Sequence, residues 1–207
     1  MGWQKEKGEQ MKKVVQIAHD ILLHADVKGA AADFTLGQGY DCECLMGMAP
    51  IHTVYAFEIQ ETAMQEAKAY LQGRLGHEKV RFLQHGHEEA ARWIDEPLSA
   101  GIFNFGYYPK GDPSITTRVE TSAPAFAAAL ELLMVGGLLV LVLYPGHPQG
   151  RRECAYFDTQ IASLPSRNYD CACLRMSNKR DCPYIQIIEK NGCKDDDREE
   201  EIDMWIA

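Results

Sequence analysis

The chain has 207 residues, 46% of them hydrophobic, and a formal net charge of −9. This length suits one domain with a sizeable core, and without an apolar run of 18 residues no membrane span is expected. The acidic total does not by itself indicate a nucleic-acid partner, although local basic residues could still contact phosphate groups.

The predicted elements alternate between helix and strand along most of the chain. The strand over residues 138–144 is apolar on both faces, which is typical of a buried parallel strand. Residues 170–177 and 184–190 follow without a helix between them and predict an antiparallel pair. The alternation indicates an α/β fold with a doubly wound sheet. Apolar periodicity predicts helices over residues 11–25, 61–73, 87–94, 122–134 and 150–164, and strands over residues 30–36, 53–59, 80–84, 101–105 and 138–144.

Two signals mark the ends of the predicted helix over residues 122–134. Ser122 is the expected N-cap, with Pro124 in the first helical turn. Gly136 and Gly137 are expected to end the helix, because glycine is common at helix C-termini.

The two ends of the chain carry different signals. The N-terminus is charged and lacks the apolar segment of a secretory signal, so we expect a cytoplasmic protein. Residues 194–203 hold seven acidic and two basic residues, a composition typical of a solvated extension. We therefore predict a single domain over residues 1–193 and an acidic tail over residues 194–207.

The seven cysteines include two C-x-C pairs, Cys42 with Cys44 and Cys171 with Cys173. No C-x2-C spacing occurs, and an odd number cannot pair completely. We expect buried, reduced thiols rather than a zinc site.

A glycine loop follows the first predicted strand in the segment DFTLGQGYDC, residues 33–42. Gly37 and Gly39 allow a tight turn and a close backbone approach to a ligand, and the next helix begins with free N–H groups. A G-x-G spacing is weak evidence by itself, since a plain turn would need no ligand. In a doubly wound sheet, ligands bind beyond the carboxyl ends of the strands, which is where this loop falls.

Glu58 follows the glycine loop by about 20 residues, the spacing at which an acidic residue binds the two hydroxyls of a ribose. Gln60 lies two residues further on. Asp33, with Thr35 just beyond it, would repel a pyrophosphate, but it suits a ligand that carries a cationic amino group. These features predict an adenosine ligand such as S-adenosylmethionine, and they make an NAD-dependent enzyme the weaker alternative because the third glycine is absent.

The fourth predicted strand ends in the sequence Asn-Phe-Gly-Tyr, residues 104–107. This run resembles the Asn-Pro-Pro-Tyr motif of amino-methyltransferases. Methyl transfer needs a neutral amine whose lone pair is aimed at the methyl group. The Asn104 side-chain oxygen and the Phe105 carbonyl could accept the two amine hydrogens, while Tyr107 could stack on a flat base. The alternative is an Asn that only bonds its own turn.

The chain as a whole resembles the small bacterial methyltransferases once called putative rRNA methylases, over about residues 14–190. The blocks FNFGYYPKGDPSITT and AALELLMVGGLLVLVLYPGHPQG are the most specific. The resemblance implies a Rossmann-like class I fold, with a mostly parallel seven-stranded sheet and a C-terminal antiparallel hairpin. It also implies S-adenosylmethionine as cofactor, no metal, tRNA as partner and, less strongly, a homodimer. The implied reaction methylates the 5-aminomethyl group of the wobble uridine in tRNA, with or without a 2-thio group.

Together, the residues and the resemblance give a set of candidate site positions. Asp112 and His147 are the candidate proton acceptors, and Lys110 and Thr116 the candidate phosphate contacts. The catalytic candidates are Asn104, Tyr107 and Asp112; the cofactor candidates are Asp33, Thr35, Gly37, Gln38, Gly39, Tyr40, Asp41, Glu58, Gln60, Gly86, His87 and Asn104; the substrate candidates are Phe105, Gly106, Tyr107, Lys110, Thr116 and His147.

Several positions depart from the family pattern. Glu58 keeps the expected carboxylate but adds one carbon, so the ribose contact should survive, whereas Tyr40 and Gly86 change single cofactor contacts. The departures are Gln38 for Asn, Tyr40 for His, Cys42 for Thr, Glu58 for Asp, Gly86 for Ser and Pro145 for His.

Two further functions stay open at this point. A methyltransferase that acts on rRNA or on a small amine would keep the cofactor site and change only the acceptor. A non-catalytic adenosine-binding partner of tRNA-modifying enzymes would have no turnover for an Asn104→Ala substitution to abolish.

Overall fold

The computed structural model describes residues 13–106 and 115–192, which build one seven-stranded sheet in the order β3-β2-β1-β4-β5-β7-β6. The first five strands run parallel, and β7 lies antiparallel between β5 and β6. This confirms the predicted mostly parallel sheet with an antiparallel C-terminal pair. The strands are β1 (Gly29–Asp33), β2 (Ile51–Phe57), β3 (Val80–Leu83), β4 (Leu98–Asn104), β5 (Leu133–Leu143), β6 (Tyr169–Leu174) and β7 (Tyr184–Lys190).

Helices cover both faces of the sheet. Two short 3-10 turns, His77–Lys79 and His87–Glu89, precede β3 and α4. None of the helices among the described residues has the length and apolar content that crossing a membrane requires. The helices are α1 (Val14–His24), α2 (Tyr40–Gly47), α3 (Glu61–Leu71), α4 (Ala90–Trp93), α5 (Val119–Leu132) and α6 (Pro148–Ala162).

Two separate apolar cores follow from the period-two alternation of the buried strands. In β1, Ala30 and Ala32 belong to the core that packs against α4, α5 and α6. Ala31 belongs to the core that packs against α1, α2 and α3. Because both faces are covered, β1 and β5 carry almost no polar residues until their carboxyl ends.

The first strand is shorter than the sequence predicts. It ends at Asp33 rather than at residue 36, because the Asp33 Oδ1 atom accepts a hydrogen bond from the Thr35 N–H at 3.0 Å and turns the chain. The predicted helix over residues 87–94 is likewise divided into the turn His87–Glu89 and the single-turn helix α4.

Both boundary predictions for α5 are wrong. The helix begins at Val119 after Arg118, so Ser122 is not the N-cap; it is buried, and its hydroxyl donates to Glu153 Oε1 at 2.9 Å. Pro124 therefore lies inside the helix rather than in its first turn. The helix ends at Leu132, and the two glycines lie within β5, where Leu133 already pairs with the neighbouring strand.

The six cysteines within the described residues are free, and only some of them are buried. Cys42 and Cys154 lie in the cores, as expected, but Cys171 and Cys173 are exposed on β6. The prediction of burial is wrong for this pair, because β6 is the edge strand of the sheet and its central residues are exposed. No group of three or more potential metal ligands is brought together within residues 13–106 and 115–192.

Candidate active site

A cavity of about 1250 Å³ opens at the carboxyl edge of the sheet, where β1 and β4 are neighbours and the strand order reverses. This is the place at which doubly wound sheets bind ligands. Asp33 and Gly39 lie just behind its wall, and Tyr107, Lys110 and Asp112 lie outside the described residues. The candidates that line it are Thr35, Gly37, Gln38, Tyr40, Asp41, Glu58, Gln60, Gly86, His87, Asn104, Phe105, Gly106, Thr116 and His147.

The glycine loop has the backbone conformation that its sequence predicts. Gly37 and Gly39 have φ angles of 48° and 86°, in the left-handed region that favours glycine. Gly39 is also the N-cap of α2, and a Cβ atom there would lie 3.3 Å from Leu71. The loop therefore closes tightly against α3 and presents the start of α2 to the cavity.

Glu58 at the end of β2 joins the glycine loop to the second strand. Its Oε2 atom accepts the Gly37 N–H at 3.1 Å, and its Oε1 atom accepts the Gln60 N–H at 2.8 Å. Burial raises the pKa of this carboxyl, while the backbone donors act in the opposite direction. Each carboxylate oxygen has two lone pairs, and the Ile59 backbone also acts on this group, so the carboxylate retains capacity to accept a ribose hydroxyl from the cavity side.

Ile59 lines the cavity beside Glu58 although its side chain is 54% exposed. An apolar side chain in this position offers a flat contact for an adenine ring. Sequence reasoning missed it, because a single apolar residue after a strand has no distinctive signal.

Asp33 is fully buried at the end of β1. Its Oδ2 atom has no hydrogen-bond partner among the described residues. Burial, together with the nearby carboxylates of Asp41 and Glu58, raises the pKa of Asp33 well above its ordinary value. An unpartnered acidic oxygen behind the glycine loop fits the cationic amino group of a ligand.

His87 presents a second unpartnered polar atom. Its Nδ1 atom lies 3.0 Å from the Phe34 carbonyl oxygen, and because a carbonyl only accepts, Nδ1 carries the proton. Nε2 is then an acceptor, and it is buried without a partner in the described structure. Burial lowers the pKa of this imidazole. The ring is therefore a neutral acceptor at the cavity wall, as a contact to the amino group of adenine would require.

Gly86 leaves a space that another side chain fills. A Cβ atom on Gly86 would lie 2.3 Å from the Glu88 carboxylate. The Glu88 side chain, which also lines the cavity, thus covers the position where the resembled family carries a serine.

Asn104 at the end of β4 is fixed by hydrogen bonds to Thr35 and Asp41, and its side chain also bonds Tyr144. Its backbone N–H donates to Thr35 Oγ1 at 2.7 Å, and its side-chain Nδ2 donates to Asp41 Oδ2 at 3.0 Å. Since a carboxylate only accepts, this contact fixes the orientation of the carboxamide and directs Oδ1 away from Asp41. The structure therefore holds Asn104 with an oxygen available to accept a hydrogen bond.

Phe105 contributes through its backbone rather than through its ring. The ring is buried between Phe103 and Phe157, at centroid distances of 5.3 and 4.8 Å. The Phe105 N–H donates to Val142 O at 3.1 Å, which fixes the peptide beside Asn104. A substrate contact at Phe105 would therefore use the main-chain carbonyl.

Thr116 and Thr117 are both hydrogen-bonded to Gly106. The Thr116 hydroxyl donates to the Gly106 carbonyl at 3.0 Å, so it is engaged in the protein rather than held ready for a phosphate. Thr117 accepts the Gly106 N–H at 2.9 Å and donates to Glu153 at 2.9 Å. Glu153 is buried, and its pKa is raised by burial. This network anchors Gly106, and with it the segment 104–106 at the end of β4, to α6.

His147 is the N-cap of α6, and its Nδ1 atom accepts the Gly150 N–H at 3.1 Å. Its role as a proton acceptor would therefore have to use Nε2.

Tyr144, which the sequence analysis did not select, also lines the cavity. Burial and the Asp41 charge raise the pKa of Tyr144 to about 12, with Asn104 acting in the opposite direction. Its hydroxyl stays protonated beside the acceptor motif.

Helix α1 contributes a wall of the cavity that sequence reasoning missed. His19 lies on this wall, and its Nε2 atom is 2.5 Å from Asp41 Oδ1. Lys13, Gln16 and Leu23 line the same side. The only sequence signal was a histidine flanking the apolar face of an amphipathic helix, which by itself indicates packing as readily as function.

Comparisons with known proteins show which family this chain is similar to. A family model described as "Putative rRNA methylase" matches residues 54–190. A chloroplastic protein of Arabidopsis thaliana named tRNA (mnm(5)s(2)U34)-methyltransferase is 29% identical over 191 residues, which cover 86% of this chain and 70% of that protein.

Two solved structures share the whole fold. A putative rRNA methylase from Clostridium thermocellum is 30% identical with a TM-score of 0.81, and the match covers 87% of this chain and 99% of that one. A putative methyltransferase from Streptococcus mutans, solved in complex with SAH, is 28% identical with a TM-score of 0.78 and the same coverage. The SAH complex agrees with the adenosine ligand that Glu58, Asp33 and His87 fit.

Proposed function

Because the chain belongs to the family of putative rRNA methylases and is a methyltransferase that uses S-adenosylmethionine, we propose that it methylates an aminomethyl group on the wobble uridine of tRNA. The observation that carries the proposal is the Asn104 carboxamide, held by Asp41 with its oxygen available beside the cavity. The name of the Arabidopsis thaliana relative supports the same acceptor.

Three residues would hold the cofactor. Glu58 would accept a ribose hydroxyl, Asp33 would face the cationic amino group, and His87 Nε2 would accept from the adenine amino group. When bound, S-adenosylmethionine supplies the methyl group for transfer. Gln38, Tyr40, Gln60 and Gly86 remain proposed cofactor contacts on the same wall.

The acceptor amine must arrive neutral and correctly aligned. Asn104 Oδ1 and the Phe105 carbonyl would accept its two hydrogens, which directs the nitrogen lone pair into the cavity. An alkylamine titrates near 10.4, and a dry site disfavours its cation. Tyr107 and Asp112 remain proposed for base stacking and proton acceptance, in the part of the chain outside the described residues.

The wider assignments are also proposals. A single domain over residues 1–193, a cytoplasmic location and a homodimer remain expectations from the sequence. Lys110, Thr116 and His147 remain proposed contacts to the RNA, with the Thr116 hydroxyl already bonded to Gly106.

A second acceptor class deserves a direct comparison, because the matching family model carries the description of an rRNA methylase. An rRNA acceptor would use the same cofactor wall and the same Asn104 geometry. Only the RNA that enters the cavity would differ.

Mass spectrometry of nucleosides separates the two acceptors. Purified protein and S-adenosylmethionine are incubated with tRNA that carries 5-aminomethyl-uridine at the wobble position, and in parallel with unmodified rRNA. We expect one added methyl on the wobble nucleoside of the tRNA and none on the rRNA. Methylation of the rRNA alone would replace the tRNA assignment, while the cofactor site would stand.

A further inference from the structure

We propose that His19 is a positioning residue that acts through Asp41 to keep the Asn104 oxygen turned toward the acceptor. The inference rests on the proposed function for the identity of the reaction. The contact chain itself runs His19 Nε2 to Asp41 Oδ1 at 2.5 Å and Asp41 Oδ2 to Asn104 Nδ2 at 3.0 Å.

Asp41 is suited to be the centre of this chain. It is buried in the first turn of α2, where free N–H groups and the helix dipole favour a negative charge. Its two oxygens serve two different donors, one from α1 and one from β4. Because a carboxylate has no proton to give, each contact defines which atom of the partner donates.

His19 donates a hydrogen bond to Asp41 Oδ1. The bond from Asn104 cannot replace it, because Asn104 donates to the other oxygen, Oδ2. The imidazole side chain is 20% exposed and lines the cavity, so its Nε2–H reaches Asp41 from the open side. Without it, Asp41 Oδ1 would lose a charge-assisted bond while Asp33 remains close enough to interact with the Asp41 charge. The carboxylate would then rearrange, and the Asn104 carboxamide would lose its fixed partner.

The orientation of the carboxamide decides whether the acceptor amine is aligned. An Asn104 rotated by half a turn would present Nδ2 to the amine, and an NH2 group cannot accept the amine hydrogens. Misplacing a reacting group by about 1 Å can cost on the order of 100-fold in rate. We therefore expect loss of His19 to lower kcat by about that factor, while the cofactor contacts of Glu58 and His87 are unaffected.

Two substitutions of His19 and one control substitution test the series of hydrogen bonds from His19 through Asp41 to Asn104. His19→Leu keeps bulk and removes the donor, whereas His19→Gln keeps an N–H near the position of Nε2. His24→Leu is the control, because His24 lies exposed on the same helix and away from the cavity wall, where its Nδ1 atom bonds the Asp20 carbonyl oxygen. We expect His19→Leu to lower kcat about 100-fold with an unchanged dissociation constant for S-adenosylmethionine, His19→Gln to restore part of the rate, and His24→Leu to match the wild type.

A second measurement, the NMR spectrum of the Asn104 side chain, does not depend on the identity of the RNA acceptor. The Asn104 carboxamide gives a pair of ¹⁵N–¹H signals, assigned by their absence in Asn104→Ala. We expect these signals to shift and broaden in His19→Leu and to remain near their wild-type positions in His19→Gln. If the wild type methylates no tRNA, the proposed function fails and this spectrum still decides the role of His19. Unchanged carboxamide signals in His19→Leu would overturn the inference.

Discussion

At the scale of single residues, Asp33 carries an energetic cost of ionisation that a cationic ligand group would reduce. A buried carboxylate with one unpartnered oxygen is costly to ionise, and this is why burial raises the pKa of Asp33 above its ordinary value of 3.8. A cationic ligand group would favour the ionised form. We therefore propose that Asp33 reduces stability without the cofactor and gains a partner when the cofactor binds.

Asp33→Asn tests both consequences. A raised pKa means that the folded state holds a proton that the unfolded state has released, so wild-type stability falls as pH rises above 3.8. Asn does not titrate, and its oxygen can still accept the Thr35 N–H. We expect the free energy of unfolding of the variant, relative to wild type, to grow with pH by up to about 1.36 kcal/mol per unit.

Cofactor binding should change in the opposite direction. Isothermal titration should show Asp33→Asn binding S-adenosylmethionine at least tenfold more weakly, about 1.4 kcal/mol, since the ligand ammonium loses its carboxylate. Urea unfolding from pH 5 to pH 9 gives the stability difference. Parallel stability curves for the two proteins would show that Asp33 does not titrate as described.

Individual site residues were predictable where a position in the chain defined the chemistry. Asp33 ends β1 and Glu58 follows β2, and the ends of these parallel strands lie at one edge of the sheet, so the proximity of the two carboxyls could be inferred from the order of the elements. His19 and Tyr144 could not be found this way. Their roles depend on contacts with Asp41 and Asn104 that cross between distant elements.

At the scale of elements, the turn before α6 depends on Gly150. A Cβ atom on Gly150 would lie 1.9 Å from the Tyr144 carbonyl oxygen and 2.9 Å from His147 Nε2. The space between Gly150 and these two residues, Tyr144 and the N-cap His147, is too small for an added methyl group. This is a physical reason for the glycine in the block YPGHPQG.

Gly150→Ala should therefore displace the turn and destabilise the protein by about 1–3 kcal/mol, in the range of overpacking substitutions. Methyl transfer should fall with it, because Tyr144 and His147 line the cavity. Gly47→Ala is the matched control: Gly47 ends α2 with no atom within 4 Å of a new Cβ, and helix propensity predicts a gain of up to about 1 kcal/mol. Thermal unfolding of the two variants side by side tests the argument, which equal stabilities would refute.

The elements themselves were predictable from periodicity, but their ends were not. Ser122 has the composition of an N-cap, yet its hydroxyl is needed by the buried Glu153 of α6. Gly136 and Gly137 have the composition of a helix end, yet β5 begins before them because Leu133 pairs with Leu98. In both cases a tertiary contact outweighed the local signal.

At the scale of the whole molecule, sheet order determines which thiols are reactive. Cys171 and Cys173 lie exposed on the edge strand β6, whereas Cys42 and Cys154 lie within the cores. Burial raises the pKa of Cys42 well above its usual range, and burial and Asp170 also raise the pKa of Cys171, so access distinguishes the two thiols. Reactivity requires both access and a thiolate.

Under native conditions, iodoacetamide should therefore modify Cys171 and Cys173 before Cys42 and Cys154. The two core thiols should react only as fast as the protein unfolds, and all four should react at similar rates in urea. Peptide mass spectrometry over a time course measures this order. Native labelling of Cys42 as fast as Cys171 would contradict the described packing of α2 on the sheet.

The alternating elements predicted the layered sheet, because each buried strand requires a helix on both faces. They did not predict that α1 would close the cavity above Asp41. An amphipathic pattern shows that a helix packs, but not which loop it covers. The site is therefore a property of the assembled molecule as much as of its motifs.

The most direct test of the account is the single-turnover rate of methyl transfer by Asn104→Ala, with saturating S-adenosylmethionine and tRNA carrying 5-aminomethyl-uridine. We expect a rate reduced on the order of 100-fold or more, with cofactor binding retained because Glu58 and His87 are unchanged. A rate equal to that of the wild type would contradict the central claim that Asn104 aligns the acceptor amine.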